Sequence, residues 1–146
     1  VGGSDDGGGW LSSVERYDPA LDAWEAVAPM ALARNSVGVA VLDGKLYAVG
    51  GFNGDLNVGG DLNSVERYDP AVDAWEAVTP MAVPRRLVDV AVLDGKLYAV
   101  GGYNNNDSSL SSVERYDPAL DAWEAVAPMA LARNSVGVAV LDGKLY

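Results

Sequence analysis

The chain has 146 residues, 49% of them apolar, and a formal net charge of −11, a composition typical of a soluble globular protein with a sizeable core. The acidic balance argues against nucleic acid or an anionic membrane as partner, and no apolar run approaches the roughly 18 residues of a membrane helix. Cysteine and histidine are both absent, which excludes disulfides, the usual Cys/His zinc sites and any Ser-His-Asp arrangement.

Internal repetition dominates the chain. Residues 110–146 copy residues 11–47 without a change, and residues 62–98 repeat them with eight changes in 37 positions. The Val-Gly-Gly triplet of residues 1–3 recurs at 49–51 and 100–102, so we divide the chain into copies 1–48, 49–99 and 100–146. Because natural repeats diverge, this uniformity indicates a designed, consensus-like chain with deliberately varied loops.

Four short strands are predicted for each unit. Residues 37–42 are apolar and mostly β-branched, which predicts a strand buried on both faces, and Asp43-Gly44 predicts a type I′ hairpin leading into a returning strand at 45–50. A variable loop follows the double glycine, then a more polar strand at 64–68, a turn at Asp69-Pro70 and a fourth strand at 74–78. Proline and the Asp-Gly turns disfavour a helical interpretation of alanine-rich windows such as 19–27. Four-stranded antiparallel units at this period indicate the blades of a β-propeller.

A double glycine after an apolar strand, then a tyrosine and, seven residues later, a tryptophan resemble the kelch repeat. The residues of this pattern are Gly2, Gly3, Tyr17, Trp24, Gly50, Gly51, Tyr68, Trp75, Gly101, Gly102, Tyr116 and Trp123. The resemblance implies an all-β kelch propeller of four-stranded blades, usually six, with the strand at 37–42 innermost around a central channel. It implies that the repeat tyrosines and tryptophans pack between blades, and that the loops after Gly-Gly and before the innermost strand lie on a face that commonly binds partners.

Three blades cannot close a circle, whereas two chains supply six. We therefore expect an obligate C2 homodimer with its axis along the channel. Each seam blade would take its inner strands, residues 136–141 and 144–146, from one chain, and residues 1–3, 14–17 and the strand of Trp24 from the other. The alternative is a longer polypeptide of which this sequence is one half, with the same blades joined covalently.

The loops are the candidate ligand-binding regions because they vary most freely. Trp10, on a glycine-rich loop, is either a ligand anchor or packs back on its own blade. Residues 55–61 faintly resemble an oxygen-ligand calcium loop but have no closing glutamate, so a passive loop is favoured and no metal is expected. The candidate ligand-face residues are Asp5, Asp6, Trp10, Arg34, Asn35, Asn53, Asp55, Asn57, Arg85, Arg86, Asn104, Asn105, Asp107, Arg133 and Asn134.

Four arginines precede the innermost strands, namely Arg34, Arg85, Arg86 and Arg133. Arginines in this loop reach the pocket of kelch domains that recognise acidic peptides, so the resemblance implies a basic ring suited to carboxylate or phosphate. The alternative is that these arginines pair with acids of the framework. Asp89, which replaces the glycine of the other two copies, is expected in the central channel near Arg85 or Arg86.

Two functional hypotheses follow. In the first, the chain is a self-assembling propeller scaffold without catalytic activity. In the second, it is a binding module that presents its loops and arginines to a peptide or a small anionic ligand. An enzyme is not expected, because acid-base chemistry would fall on Asp, Glu, Tyr and Lys alone and no spacing supports it. We predict no catalytic residue and no cofactor.

Overall fold

The computed structural model describes residues 1–54 and 60–146, and strands are the only regular secondary structure in these ranges. The strands are β1 (Val14–Asp18), β2 (Ala23–Val27), β3 (Gly38–Leu42), β4 (Lys45–Val49), β5 (Val65–Asp69), β6 (Ala74–Val78), β7 (Asp89–Leu93), β8 (Lys96–Val100), β9 (Tyr103–Asn104), β10 (Ser108–Ser109), β11 (Val113–Asp117), β12 (Ala122–Val126), β13 (Val140–Leu141) and β14 (Lys144–Leu145). None of the described residues belongs to a helix that could span a membrane.

Two complete sheets occupy the middle of the chain. One has the order β3-β4-β5-β6 and the other the order β7-β8-β11-β12, and all their pairings are antiparallel. The small β9-β10 hairpin lies in the loop that joins β8 to β11. These sheets confirm the predicted four-stranded antiparallel unit, and their arrangement fits a kelch β-propeller.

The hairpins between the two inner strands have the predicted turn. Asp43 has φ 52° and Gly44 has φ 72°, and the Asp-Gly pairs at 94–95 and 142–143 repeat these values closely. Positive φ at both central residues is the mark of a type I′ turn, whose twist matches that of the strands. The prediction from Asp-Gly is therefore confirmed in all three copies.

Each end of the chain carries half a sheet. At the start, β1 pairs only with β2, and these strands correspond to the outer pair β5-β6 of a complete sheet. At the end, β13 pairs only with β14, and these correspond to the inner pair β3-β4. The two halves together have the strands of one further sheet.

The main core lies between the two complete sheets. Tyr47, Val49 and Val65 of the first sheet pack with Leu97 and Tyr116 of the second, and all five are buried. The inner strands of successive sheets are neighbours in space: β3 lies beside β7, and β7 lies beside β13 and β14. Apolar contact between sheet faces therefore supplies the main cohesion between repeats.

The sequence analysis predicted that the innermost strand is buried on both faces. The structure shows this burial in only some of the copies. In β7 the central residues Val90 and Ala91 are buried, whereas in β3 the side chains of Val39 and Val41 are exposed, Val41 by 62%. The physical reason is position: β7 lies between the inner strands β3 and β13, whereas β3 has a neighbouring inner strand, β7, on one side only. The prediction was correct for the middle copy and wrong for the first and the third, where Val140 and Leu141 are also exposed.

Candidate functional site

The first junction between repeats is held by a buried arginine. Arg34 has 0% exposure, and its guanidinium donates to the Gly50 carbonyl oxygen at 2.8 Å, the Ser64 carbonyl oxygen at 3.1 Å and Glu66 Oε1 at 2.7 Å. Glu66 also accepts from the backbone N–H groups of Ala31 and Leu32, at 2.7 and 3.2 Å. We call this set the arginine clamp: one arginine, two carbonyl oxygens and one glutamate.

The arginine clamp recurs at the second junction. Arg85, also 0% exposed, donates to the Gly101 and Ser112 carbonyl oxygens at 2.7 and 3.0 Å and to Glu114 at 2.8 Å. Burial lowers the pKa of the Arg34 guanidinium, and the neighbouring Glu66 opposes that change. Because the glutamate and the carbonyl oxygens compensate the buried charge, each arginine ties the loop before one inner strand to the repeat that follows.

Arg34 and Arg85 are therefore interior residues, and they do not contribute to a basic ring on a ligand-binding face. Their side chains point into the junctions and pair with framework acids, which was the alternative interpretation. The first glycine of the Gly-Gly motif allows the backbone of the next arginine to pack closely. Gly50 has φ 65°, and a Cβ there would lie 2.3 Å from the Arg85 carbonyl oxygen.

The equivalent arginine of the third copy, Arg133, has no such partner in the described part of the chain. Arg133 occupies the position of Arg34 and Arg85 but is exposed, and no side-chain hydrogen bond or ion pair joins it to the described residues. At the other end, Glu15 occupies the position of Glu66 and Glu114 and is also exposed. One end thus carries the arginine and the other end the glutamate of an incomplete clamp.

A second contact, the aspartate–tryptophan latch, crosses each junction further out. At the first junction, Asp73 Oδ1 accepts from the Ala28 N–H at 2.9 Å and Trp75 Nε1 donates to the Ala28 carbonyl oxygen at 2.8 Å. Asp121 and Trp123 make the same two bonds to Thr79, at 3.0 and 2.9 Å. The backbone donor and the adjacent tyrosine hydroxyl lower the pKa of both aspartates.

The tyrosines of the motif pack beside these tryptophans. Tyr68 and Trp75 have ring centroids 5.3 Å apart, and Tyr116 and Trp123 have centroids 5.1 Å apart. In the first copy Tyr17 and Trp24 form the same pair at 5.4 Å, but Trp24 is 67% exposed. The role between neighbouring sheets is thus seen for two copies, while the first pair faces outward.

An apolar groove of about 680 Å³ lies beside the last half sheet. It is bounded by the outer face of the β8-β11-β12 sheet, including Val100, Val113 and Val126, and by Met129, Arg133 and Leu145. The equivalent valines and methionine of the first complete sheet, residues 49, 65, 78 and 81, are covered by Tyr116 and Trp123. We call this the terminal groove. Its lining residues are equivalent to those buried between the two complete sheets, but no sheet formed by the described residues covers them.

Three of the variable loops meet on one surface. The Arg86 guanidinium carbon lies 4.7 Å from the Phe52 ring centroid and 4.8 Å from that of Tyr103, and its Nη1 lies 3.1 Å from Asp61. Trp10 packs edge-on against Phe52 at 5.8 Å. Trp10 therefore contacts the next repeat, which neither interpretation of that side chain anticipated, and Arg86 is held between two aromatic rings.

Three of the remaining loop candidates, Asp5, Asn104 and Asp107, bond within their own loops, and two, Asn105 and Asn134, bond to a different loop. Asp5 accepts from the Gly9 N–H at 2.8 Å, and the buried Asn104 accepts from the N–H groups of residues 106 and 107 at 3.0 and 2.7 Å. Asp107 accepts from Asn104 at 3.2 Å, Asn105 N–H donates to Asp61 at 2.8 Å, and Asn134 donates to Ser109 at 2.7 Å.

The other loop candidates differ in exposure and in what can be described. Asp6 is exposed, Asn53 is half-buried, and Asn35 forms a backbone bridge with Phe52. Asp55 and Asn57 lie outside the described residues, so the faint calcium pattern cannot be located. Among the residues that are described, no group of three or more acidic side chains is placed to hold a metal ion.

Asp89 bonds to backbone rather than to an arginine. Its carboxylate accepts from the Val90 N–H at 2.9 Å and from the Val138 N–H at 2.5 Å, so it joins β7 to the segment before β13. The expected neighbours are occupied elsewhere, since Arg85 pairs with Glu114 and Arg86 with Asp61. Asp89 thus pairs with backbone N–H groups, and its place in a central channel near Arg85 or Arg86 stays a prediction.

Comparison with known proteins agrees with this architecture. The family model of the Kelch motif matches residues 1–31, 33–82 and 84–130. Human Kelch-like protein 28 is 46% identical over 98 residues, which are 64% of this chain and 17% of that protein. Kelch-like ECH-associated protein 1B of Danio rerio is 42% identical over 92 residues, which are 63% of this chain and 16% of that protein. The mouse Influenza virus NS1A-binding protein homolog is 44% identical over 80 residues, 55% of this chain and 12% of that protein. The chain thus spans less than a fifth of the length of these relatives.

Proposed function

The chain belongs to the kelch-motif family, and on that premise we propose that it is a non-catalytic protein-interaction module whose first partner is a second copy of itself. Two copies bring six repeats and close a C2-symmetric ring of six four-stranded sheets. In this ring the β13-β14 pair of each copy is completed by the β1-β2 pair of the other. The exact repetition of residues 11–47 at 110–146 supports a designed, consensus-like origin for such a scaffold.

A single observation carries this proposal: the two ends of the chain have complementary halves of the same sheet and of the same junction. The inner pair ends the chain and the outer pair begins it. In the complete sheets these pairs join through register partners such as Leu46 with Tyr68 and Val49 with Val65. By repeat equivalence, Leu145 of one copy would pair with Tyr17 of the other.

The exposed apolar surface supports the same partner. Large apolar side chains are exposed at both ends, among them Trp24, Val41 and Leu141. Large apolar side chains that are exposed together at a chain end are typical of an interaction site. A second copy covers it with the contacts that already operate inside the chain, and no new chemistry is needed.

Mass in dilute solution tests the proposal. Light scattering on a size-exclusion column should give twice 15.2 kDa, while denaturing mass spectrometry should give 15.2 kDa for the chain. A folded particle of 15.2 kDa would contradict ring closure by a second copy. A denaturing mass near double would show that the two halves are covalently joined, and the homodimer would then be wrong.

The loop surface supports a second candidate, the binding of a protein or peptide. Phe52, Arg86 and Tyr103, together with Trp10, bring aromatic and cationic groups of three repeats to one surface. Titration with a panel of acidic peptides, monitored by tryptophan fluorescence, tests this candidate. Saturable binding that is weakened in Arg86→Asn would support it, and no binding at millimolar concentration would contradict it.

A further inference from the structure

We propose that the terminal groove is a binding site for the β1-β2 hairpin of a second copy, and that Arg133 and the partner copy's glutamate at position 15 are its central recognition pair. This inference rests on the proposed self-assembly and specifies which residues select the partner. The two complete junctions supply the template, because each of their contacts has a counterpart at the chain ends.

Repeat equivalence predicts the clamp in full. Arg34 and Arg85 bind the first motif glycine, a serine and a glutamate of the next repeat, at 2.7 to 3.1 Å for the carbonyl and carboxylate oxygens. The corresponding groups at the start of the chain are the carbonyl oxygens of Gly2 and Ser13 and the carboxylate of Glu15. Arg133 would therefore reach these three groups of the second copy.

The aromatic side chains fill the groove by the same equivalence. The Val49, Val65 and Met81 surface is covered by Tyr116 and Trp123, and the terminal groove offers the same surface at Val100, Val113 and Met129. Tyr17 and Trp24 are the unused members of the aromatic series. Asp22 and Trp24 would make the latch to the backbone of Ala127, which corresponds to Ala28 and Thr79.

Charge gives the pairing its direction. An arginine buried at a junction without its glutamate is costly, and so is the glutamate without its arginine. The groove therefore selects a hairpin with glutamate at this position, and a like end, which offers arginine to arginine, is rejected. Each chain has one arginine end and one glutamate end, so two copies satisfy each other in one orientation only.

Complementing variants test the recognition pair. Arg133→Ala breaks both seams of its own homodimer, and so does Glu15→Ala, and each should raise the dimer Kd by at least about 100-fold per seam. In an equimolar mixture the heterodimer has one intact seam and one seam that lacks both charges, so no charge is left unpaired. With one variant labelled by heavy nitrogen, native mass spectrometry should show the heterodimer far above its statistical share of one half.

A matched control lies inside the chain. Arg34→Ala and Glu66→Ala remove the same pair from the first junction, where both partners belong to one copy. Mixing these variants should give no preference for the heterodimer. If Arg133→Ala and Glu15→Ala are unfolded alone, mixing should recover the circular dichroism of the wild type, and failure to recover it would contradict the proposal.

The outcomes separate this inference from the proposed function. A monomeric wild type would overturn both. A dimeric wild type whose two end variants dimerise as tightly as it does, or mix only statistically, would overturn the recognition pair and leave the self-assembly standing. Enrichment of the heterodimer from the end variants, without enrichment in the internal control, is the result expected.

Discussion

Residues 11–47 and 110–146 are identical in sequence but differ in surroundings. Arg34 is fully buried while Arg133 is exposed, and Leu42 is 3% exposed while Leu141 is 59% exposed. The tyrosines show the reverse order, with Tyr17 42% exposed and Tyr116 1% exposed. The first segment is buried where the following repeat contacts it, and the last segment is buried where the preceding repeat contacts it. The environment of a repeat residue is therefore decided by the neighbouring repeat rather than by its own local sequence.

The largest expected effect comes from breaking an internal arginine clamp. Arg85→Ala leaves Glu114 buried without its charge partner, and we expect a loss of about 3–5 kcal/mol in the free energy of unfolding. Urea denaturation should show this loss at every protein concentration, because both partners belong to one chain. Arg133→Ala, at the equivalent position, removes a pair that two copies share, so mixing it with Glu15→Ala should restore part of the lost stability, whereas mixing Arg85→Ala with Glu114→Ala should restore none. Equal recovery in the two mixtures would contradict this difference.

The repeat tryptophans differ between copies in the same way as the arginines. Trp123→Ala removes apolar contact with the first complete sheet and the hydrogen bond to Thr79, and we expect a loss of about 1–3 kcal/mol in the free energy of unfolding. Trp24→Ala should weaken self-association instead, because this side chain is 67% exposed within its own chain. Fluorescence-detected denaturation measures the first effect, and size-exclusion chromatography over a dilution series measures the second. An unchanged dimer in Trp24→Ala would argue against the difference in environment.

The middle repeat offers a smaller, internal comparison. Arg86→Asn restores the residue of the other two copies and removes the contacts to Phe52, Tyr103 and Asp61. Arg86 is 23% exposed and Asp61 only 6%, but Asp61 keeps the Asn105 N–H as a donor, so we expect a loss of about 1–2 kcal/mol. Thermal unfolding measures this loss. The control adds Asn35→Arg to the Arg86→Asn variant, which places the same side chain at the equivalent position of the first copy and should not restore the lost stability. No loss in Arg86→Asn would show that the loops are independent.

Acid should weaken the latches, and this effect is the smallest because the groups lie at the surface. The pKa of Asp73 and of Asp121 is lowered in the folded chain by the backbone donors of Ala28 and Thr79. The stabilisation is thus present above the ordinary aspartate pKa of 3.8 and is lost as the pH falls through the lower folded value. Denaturation at pH 6 and at pH 3 should show a smaller difference in Asp73→Asn than in the wild type, and an unchanged difference would contradict this assignment.

Much of the fold could be predicted from local chemistry. Asp43-Gly44 predicted its turn because both residues tolerate positive φ, and the alternation of apolar strands and turns predicted the four-stranded unit. The site was harder. The arginines were recognised as notable, but their partners lie 29 to 32 residues away in the next repeat, so only the packed structure shows that Arg34 and Arg85 are interior.

Sequence alone determined the repeat, the strand order within a unit and the turn type, because each depends on residues close together in the chain. Tertiary structure decided which copies of the same side chains are buried, which arginines are paired, and that Arg86 rather than Trp10 lies at the centre of the loop surface. The physical reason is that burial and charge pairing are properties of two surfaces in contact. A repeat carries only one side of each junction, and its neighbour supplies the other.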